Sequence, residues 1–241
     1  MKHKILGSVL QTLNVELQSG ESLYSESGAM SWMSNNIKMQ TSAKGGFMQG
    51  IKRKFTGESF FMNTFACTEG TGIITFSCGF PGKILVLDLN GKNSYICQKD
   101  AFLCATPEIN LEMHFRKKFG AGFFGGEGFI LQKISGRGKA FVELSGEIVE
   151  LNLKAGQTLR VDTGHIAMYE PSVNFDIVMV QGVTNILVGG EGMFLSTLTG
   201  PGKIWLQSMP LSTLAMKLGK FYKSGGGGVI SNIINGVSRG V

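Results

Sequence analysis

The 241-residue sequence contains few of the features that identify common classes of protein. Only 5 residues are proline, and only 17% are charged. The low proline content excludes collagen and a proline-rich linker as reasons for the 35 glycines, which are typical of many tight turns. The low charge, with 43% hydrophobic residues, argues against disorder. We therefore expect a folded chain that buries additional apolar surface between subunits.

Long apolar runs and paired cysteines are also missing. No run reaches the roughly 18 residues that a membrane-spanning helix needs, and the basic start of the chain lacks the apolar stretch of a signal peptide. The four cysteines, Cys67, Cys78, Cys97 and Cys104, form no C-x-x-C pair. We interpret them as reduced core or strand thiols, with a zinc or redox site as the alternative. These features predict a cytoplasmic protein.

Motifs for catalysis, metal binding and nucleotide binding are equally scarce. The three histidines, His3, His114 and His165, lie far apart in the sequence. We interpret His165 as an ordinary strand-face residue rather than a catalytic base. Residues 120–125 fit G-x-G-x-x-G, but they lack the preceding strand and following helix of a dinucleotide site, so we interpret them as a loop. We expect no metal, no cofactor and no enzyme activity; an enzyme without a recognisable motif is the weakest alternative.

The sequence does contain an internal repeat. Residues 125–131 recur as residues 189–195, a shift of 64, and a less regular version lies upstream. The three versions share a Gly-Glu pair, formed by Gly57, Glu58, Gly126, Glu127, Gly190 and Glu191. We interpret these glutamates as structural carboxylates that accept hydrogen bonds from turn amides. A ring of binding carboxylates is the alternative.

A second segment repeats as well, and its third copy is N-terminal. Gly20 and Gly28 fall on Gly156 and Gly164 after a shift of 136. The predicted order is a second half-unit at 10–40, full units at 55–113 and 122–181, and a last half-unit at 187–209. We expect residues 10–40 to pack against residues 189–209 and to complete the third copy, which would remove exposed sheet edges.

The local pattern within the repeats is typical of β-strands. Val149, Leu151 and Leu153 alternate with polar residues, and we interpret Gly-x-Gly segments between apolar runs as hairpin turns. Residues 210–223 instead have helical spacing after Pro210 and predict one amphipathic helix. The predicted fold class is all-β over residues 1–209, followed by this helix and a flexible glycine-rich tail at 224–241.

Two short basic segments precede Gly-Glu pairs. They contain Lys52, Arg53, Lys54, Arg116, Lys117 and Lys118. In a ring of repeats these residues could form an anion-binding rim for RNA or for an anionic lipid surface. Solvated loop charges are the alternative interpretation.

Several of these motifs resemble one known family. Residues 52–53, 57–61, 124–128 and 200–208 are similar to the family named for altered inheritance of mitochondria (AIM24-like). The resemblance implies a fold like that of the tryptophan RNA-binding attenuation protein, with three short double-stranded β-helix or β-sandwich units per chain. It also implies a homotrimer that forms a nine-unit ring.

Two hypotheses for the function follow. In the first, the chain is a non-enzymatic oligomeric scaffold or interaction module that can lie at the periphery of a membrane, through its basic rim or its C-terminal helix. In the second, it is a ring that binds RNA or a small ligand between neighbouring units. A shared fold with an RNA-binding protein does not decide between them.

Overall fold

The structure, a computed structural model, describes residues 1–42, 62–117, 128–179 and 194–224. Strands account for most of these residues, and one α-helix follows the last strand. Over these described ranges, the structure therefore confirms the prediction of a mostly β chain with one short C-terminal helix. The predicted tail after residue 224 lies outside the described residues.

The strands fall into three groups that follow one another along the chain. The first group contains β1 (Lys2–Leu6), β2 (Thr12–Gln18), β3 (Ser22–Glu26), β4 (Met30–Met33), β5 (Ile37–Ser42), β6 (Met62–Cys67) and β7 (Thr71–Ser77). The second contains β8 (Gly82–Asn90), β9 (Tyr95–Gln98), β10 (Phe102–Ala105), β11 (Ile109–Lys117) and β12 (Phe129–Ser145). The third contains β13 (Ile148–Leu153), β14 (Thr158–Asp162), β15 (Ile166–Tyr169), β16 (Asn174–Met179), β17 (Phe194–Thr199) and β18 (Gly202–Gln207).

Each group contains two sets of three antiparallel strands, and in the first group β1 also pairs with β2. In the first group β7 lies between β2 and β4, and β6 lies between β3 and β5. In the third group β18 lies between β13 and β15, and β17 lies between β14 and β16. In the second group the long strand β12 is the central strand of both sets. Its N-terminal half lies between β9 and β11, and its C-terminal half lies between β8 and β10.

The Gly-x-Gly segments are corners rather than hairpin turns, so that prediction was wrong. Residues 129–136 of β12 pair with β11, whereas residues 137–145 pair with β8. Gly136 and Gly138, at this change of partner, have φ angles of +114° and +145°. A positive φ permits a reverse turn or a sharp bend within a strand, and the sequence pattern does not distinguish them. The neighbouring strands decide, since β6 and β7, like β17 and β18, pair with different partners.

The expected closure between the two ends of the chain was also wrong. Strands β2 to β5, from the N-terminal half-unit, pair with β6 and β7 of the first group. Strands β17 and β18 pair with β13 to β16, which directly precede them. Sequence similarity between segments shows that they correspond, but it does not show which segments are in contact. Each half-unit pairs with the half that follows it along the chain.

The hydrophobic core is continuous across neighbouring groups. One cluster joins Leu13 and Phe65 of the first group to Phe141 of the second. Another joins Leu87 of the second group to Trp205 of the third. The interior of each of the first two groups is therefore covered by the outer face of the next group, and this burial is the main favourable contribution to the contact.

The α-helix, α1 (Leu211–Ser224), begins directly after Pro210. The sequence pattern had predicted a helix at residues 210–223. Pro210 lies against Gly164 of the third group, where a Cβ added to the glycine would come within 3.0 Å of the proline side chain. Among the described residues, no helix has the length and apolar character that crossing a membrane requires.

Candidate functional site

The structure describes two of the six basic residues predicted to bind anions. Arg116 and Lys117 lie at the end of β11 and are exposed. The Lys117 Nζ donates a 3.1 Å hydrogen bond to the carbonyl oxygen of Ile177 on β16, so it is anchored to the third group. The other four residues, Lys52, Arg53, Lys54 and Lys118, lie outside the described residues. The basic rim therefore stays a prediction.

The repeated Gly-Glu pairs also lie outside the described residues. They are Gly57, Glu58, Gly126, Glu127, Gly190 and Glu191. Neither their structural role nor the alternative of a carboxylate ring is tested. Within the described ranges, no three side chains of His, Cys, Asp or Glu lie together in a way that could hold a metal ion.

The four cysteines are free and buried, as predicted. Burial, with a smaller contribution from the carboxylate of Glu143, raises the pKa of the Cys78 thiol to about 12. Burial also raises the pKa of the Cys97 and Cys104 thiols well above their ordinary value. Because the thiolate is the reactive form of cysteine, these three side chains have the properties of core residues.

His165 does not lie on a strand face, and that prediction was wrong. It ends a short 3₁₀ helix, Thr163–His165. The side chain of Asp162 accepts a 3.0 Å hydrogen bond from the Gly164 N–H and so favours a turn where the strand β14 ends. The Nδ1 of His165 lies 2.8 Å from the carbonyl oxygen of Gln207, which is a structural contact between this turn and β18.

A cavity of about 390 Å³ lies where the second and third groups meet α1. The residues that line it include Lys99, Asp100, Phe129 and Ser212. Beside it, the Gln98 amide donates to the carbonyl oxygen of Ile166 at 2.6 Å and joins the two groups. A volume of this size falls within the range of small-molecule sites.

Neighbouring groups are joined by one kind of strand pairing, which occurs twice within the chain. Strand β10 pairs antiparallel with β3, with Cys104 opposite Ser25. Strand β15 pairs antiparallel with β9, with Met168 opposite Cys97. In each case the third strand of one group extends a sheet of the preceding group. We refer to these two pairings as the internal joins.

The corresponding strands at the two ends of the series have no such pairing among the described residues. Strand β4 ends a four-stranded sheet of the order β1-β2-β7-β4. Strand β14 ends a three-stranded sheet of the order β14-β17-β16. We call these the free edges. Each has one row of backbone N–H and C=O groups that can pair with another strand.

A recurring bulge identifies the correspondence between β4, β10 and β15. The pairing register shifts between Met30 and Trp32 in β4. It shifts at the same place in the other two strands, between Phe102 and Cys104 in β10 and between Ile166 and Met168 in β15. Trp32 therefore occupies the position that Cys104 and Met168 have in the internal joins.

The burial of these three side chains differs sharply. Cys104 and Met168 are fully buried, whereas Trp32 is 57% exposed. The opposite end of the series has a matching apolar surface, because Leu151 of β13 is 37% exposed while its counterpart in the second group, Leu87, is 5% exposed. The two ends thus expose the two surfaces that the internal joins bury against each other.

This site was not predicted from the sequence, although a signal was present. The repeat shift of 136 places Trp32 on Met168 and so identifies it as a residue of the same structural position. The shift does not show that Trp32 is exposed, because exposure depends on which group lies beside it. Only the order of strands in the sheets reveals that the first group has a free edge.

Comparison with known proteins identifies related chains. The family described as "Mitochondrial biogenesis AIM24" matches residues 3–209. The chain is 28% identical over 217 residues to "Uncharacterized protein M6_Spy0233" of Streptococcus pyogenes serotype M6, a match that covers 87% of this chain and 86% of that protein.

A solved structure has a similar fold. The crystal structure of protein SPYM3_0169 from Streptococcus pyogenes matches with a TM-score of 0.73 and 24% sequence identity. The match covers 91% of this chain and 99% of that chain. The arrangement of strands is therefore shared with another natural protein over nearly the whole length of both chains.

Proposed function

This chain belongs to the AIM24 family, and from that premise we propose that it is a non-enzymatic oligomeric scaffold, an interaction module built from three copies of one β-unit. The matching strand orders of the three groups support a unit that has been triplicated. The bulges at Met30, Phe102 and Ile166 support the same interpretation, because they occur at corresponding positions.

The observation that carries the proposal is the pair of free edges on β4 and β14. Each belongs to a strand type that is paired elsewhere in the chain. A surface at one end that complements a different surface at the other end produces head-to-tail assembly, which closes into a ring when the rotation between copies permits it. A ring of three chains with nine units is the closed form that we propose, and it would leave neither edge exposed.

Native mass spectrometry combined with light scattering tests this assembly. We expect the full chain to be a trimer whose population falls on dilution. A chain that remains monomeric at every concentration tested would refute the proposed scaffold. Val178→Glu provides a control, since Val178 is 42% exposed but lies on β16, which β17 separates from the free edge of β14; this variant should assemble like the unmodified protein.

The membrane version of the proposal has a separate test. Flotation with vesicles that contain anionic lipid should recover the full chain, and a chain that ends at Pro210 should show whether α1 is needed. Replacing Lys52, Arg53, Arg116 and Lys117 by glutamine tests the basic rim instead. If neither the full chain nor the shortened chain floats with the vesicles, the membrane version is excluded.

The cavity beside α1 favours a second candidate function, which is the binding of RNA or a small ligand between neighbouring units. Lys99 and Asp100 give this cavity charged groups of both signs. For RNA we expect an affinity that falls with salt and weakens when Lys52, Arg53, Arg116 and Lys117 are neutralised. Unchanged affinity in that variant would exclude the basic rim as the binding site. Mass spectrometry of gently purified protein would detect a retained small molecule.

A further inference from the structure

The internal joins provide a template for the contact between two copies of this chain. This inference rests on the proposed assembly and adds its register and its central side chains. In the internal joins, Ala105 lies opposite Tyr24 and Tyr169 lies opposite Ile96. The counterparts of these residues on the free edges are Met33 of β4 and Arg160 of β14.

We propose that β4 of one copy pairs antiparallel with β14 of a second copy, with Met33 opposite Arg160 and Trp32 opposite Val161. The contact repeats the geometry that the chain already uses at β10–β3 and β15–β9. Strand β4 needs no new backbone conformation, because it already has the bulge that β10 and β15 have when they are paired.

Trp32 is the central side chain of the proposed contact. Its counterpart Met168 belongs to the same hydrophobic cluster as Leu87 and Leu89 of the preceding group. Cys104 belongs in the same way to the cluster that contains Val15 and Leu17. In the third group, whose strand β14 has a free edge, the residues that correspond to Leu87 and Leu89 are Leu151 and Leu153. We refer to this end of the series as the open end. Leu153 is already buried within the third group, at 6% exposure, so in the proposed contact Trp32 covers Leu151.

The apolar surface at the open end is larger than Leu151 alone. Val149, on the same face of β13, is 49% exposed. Its counterpart in the first group, Leu13, is fully buried. A tryptophan has more apolar surface than cysteine or methionine, so it can cover both Val149 and Leu151. On the other copy, Ile73 of β7 is 46% exposed and lies beside the same edge.

Disulfide cross-linking tests the register. Directly opposite residues on antiparallel strands have Cα atoms about 5 Å apart, within reach of a disulfide. Chains with Met33→Cys alone and chains with Arg160→Cys alone are mixed and oxidised, and a disulfide-linked dimer should form. Thr158→Cys replaces Arg160→Cys in the control. It lies two residues along the same face of β14, at a distance of roughly 8 Å from Met33, and should give little dimer.

The outcomes separate this inference from the proposed scaffold. Assembly without the Met33–Arg160 cross-link, or equal cross-linking through Thr158→Cys, would overturn the register and leave the scaffold standing. Absence of any assembly would refute both. The double variant Met33→Cys, Arg160→Cys adds one further outcome: a disulfide within a single chain would show that the two edges close on each other, and it would overturn the contact between copies.

Tryptophan fluorescence tests the contact without altering the chain. The protein has two tryptophans, of which Trp205 is only 7% exposed. Quenching by acrylamide therefore reports chiefly on Trp32. We expect quenching to fall and the emission to shift to shorter wavelength as the protein assembles. Quenching that stays the same while assembly proceeds would show that Trp32 is not buried, and it would overturn the proposed role of this side chain.

Discussion

The Oη of Tyr24 donates a 2.8 Å hydrogen bond to the carbonyl oxygen of Ile109. Both residues are fully buried, and the bond joins β3 of the first group to β11 of the second. Tyr169 of the third group is equally buried, but its Oη has no hydrogen-bond partner among the described residues. The two tyrosines thus provide a matched pair for measuring what a buried phenol hydroxyl contributes.

We expect Tyr24→Phe to lower the free energy of unfolding by about 1–2 kcal/mol, because the Ile109 carbonyl loses a buried donor. Tyr169→Phe should be neutral or slightly stabilising, since it removes an unpaired polar group from the core. Urea denaturation followed by circular dichroism measures both changes. An equal loss in the two variants would show that the hydrogen bond makes no specific contribution.

The fold class could be predicted from the sequence because the signals are local. The alternation of Val149, Leu151 and Leu153 indicates a strand with two different faces, and the spacing after Pro210 indicates a helix. The pairing of half-units could not be predicted in the same way. A constant shift shows that two segments correspond, whereas contact depends on the path of the chain between them.

The candidate site was harder to predict for a similar reason. Trp32, Cys104 and Met168 hold one position in three strand groups, and the sequence gives no indication that only Trp32 is exposed. Exposure at this position is decided by whether a group lies on the other side of the strand. The burial of the side chain at this position therefore depends on how many units the chain contains and on whether the chain assembles with other copies.

The corner in β12 predicts a strong dependence on glycine. Gly136 has a φ of +114°, and an added Cβ would collide with the carbonyl oxygen of Glu108. We expect Gly136→Ala to lower the free energy of unfolding by roughly 2–4 kcal/mol, from the strained dihedral together with the collision. Thermal or urea denaturation measures the loss.

Gly28→Ala is the control for this corner. Gly28 also has a positive φ, +91°, but an added Cβ would have no atom within 4 Å. We expect Gly28→Ala to lower the free energy of unfolding only through the dihedral strain, by about 1–2 kcal/mol. If the two glycine variants lose the same stability, the close approach of Glu108 has no effect of its own.

Glu143 predicts a dependence of stability on pH. Burial raises the pKa of its carboxyl above the ordinary value of 4.5, although the Gly79 N–H and the Cys78 thiol, which donate to the carboxylate, oppose the shift. Nearby Asp100 adds to the increase in pKa. The folded protein therefore holds this proton at pH values where the unfolded chain has released it. The contribution of Glu143 to stability falls as the pH rises from about 4.5 through the folded-state pKa.

Glu143→Gln should remove this fall, because the amide does not ionise and its oxygen can still accept from the Gly79 N–H. Urea midpoints measured at several pH values should show that the stability of the variant, relative to the unmodified protein, increases as the pH rises. Glu69→Gln, at an exposed position, serves as the control and should not change the pH profile. A variant that loses stability relative to the unmodified protein as the pH rises would contradict the assigned shift.

The buried thiols predict slow alkylation in the folded protein. Cys97 and Cys104 have no exposed surface, and burial raises the pKa of both thiols. For Cys78, an increase in pKa from 9.0 to about 12 lowers the thiolate fraction near neutral pH by about a thousandfold.

Peptide mapping after treatment with iodoacetamide should find Cys78, Cys97 and Cys104 labelled in urea and largely unlabelled in the native protein. Rapid native alkylation of Cys97 would show that the second group is open to solvent and would contradict the packing of the β9–β15 join.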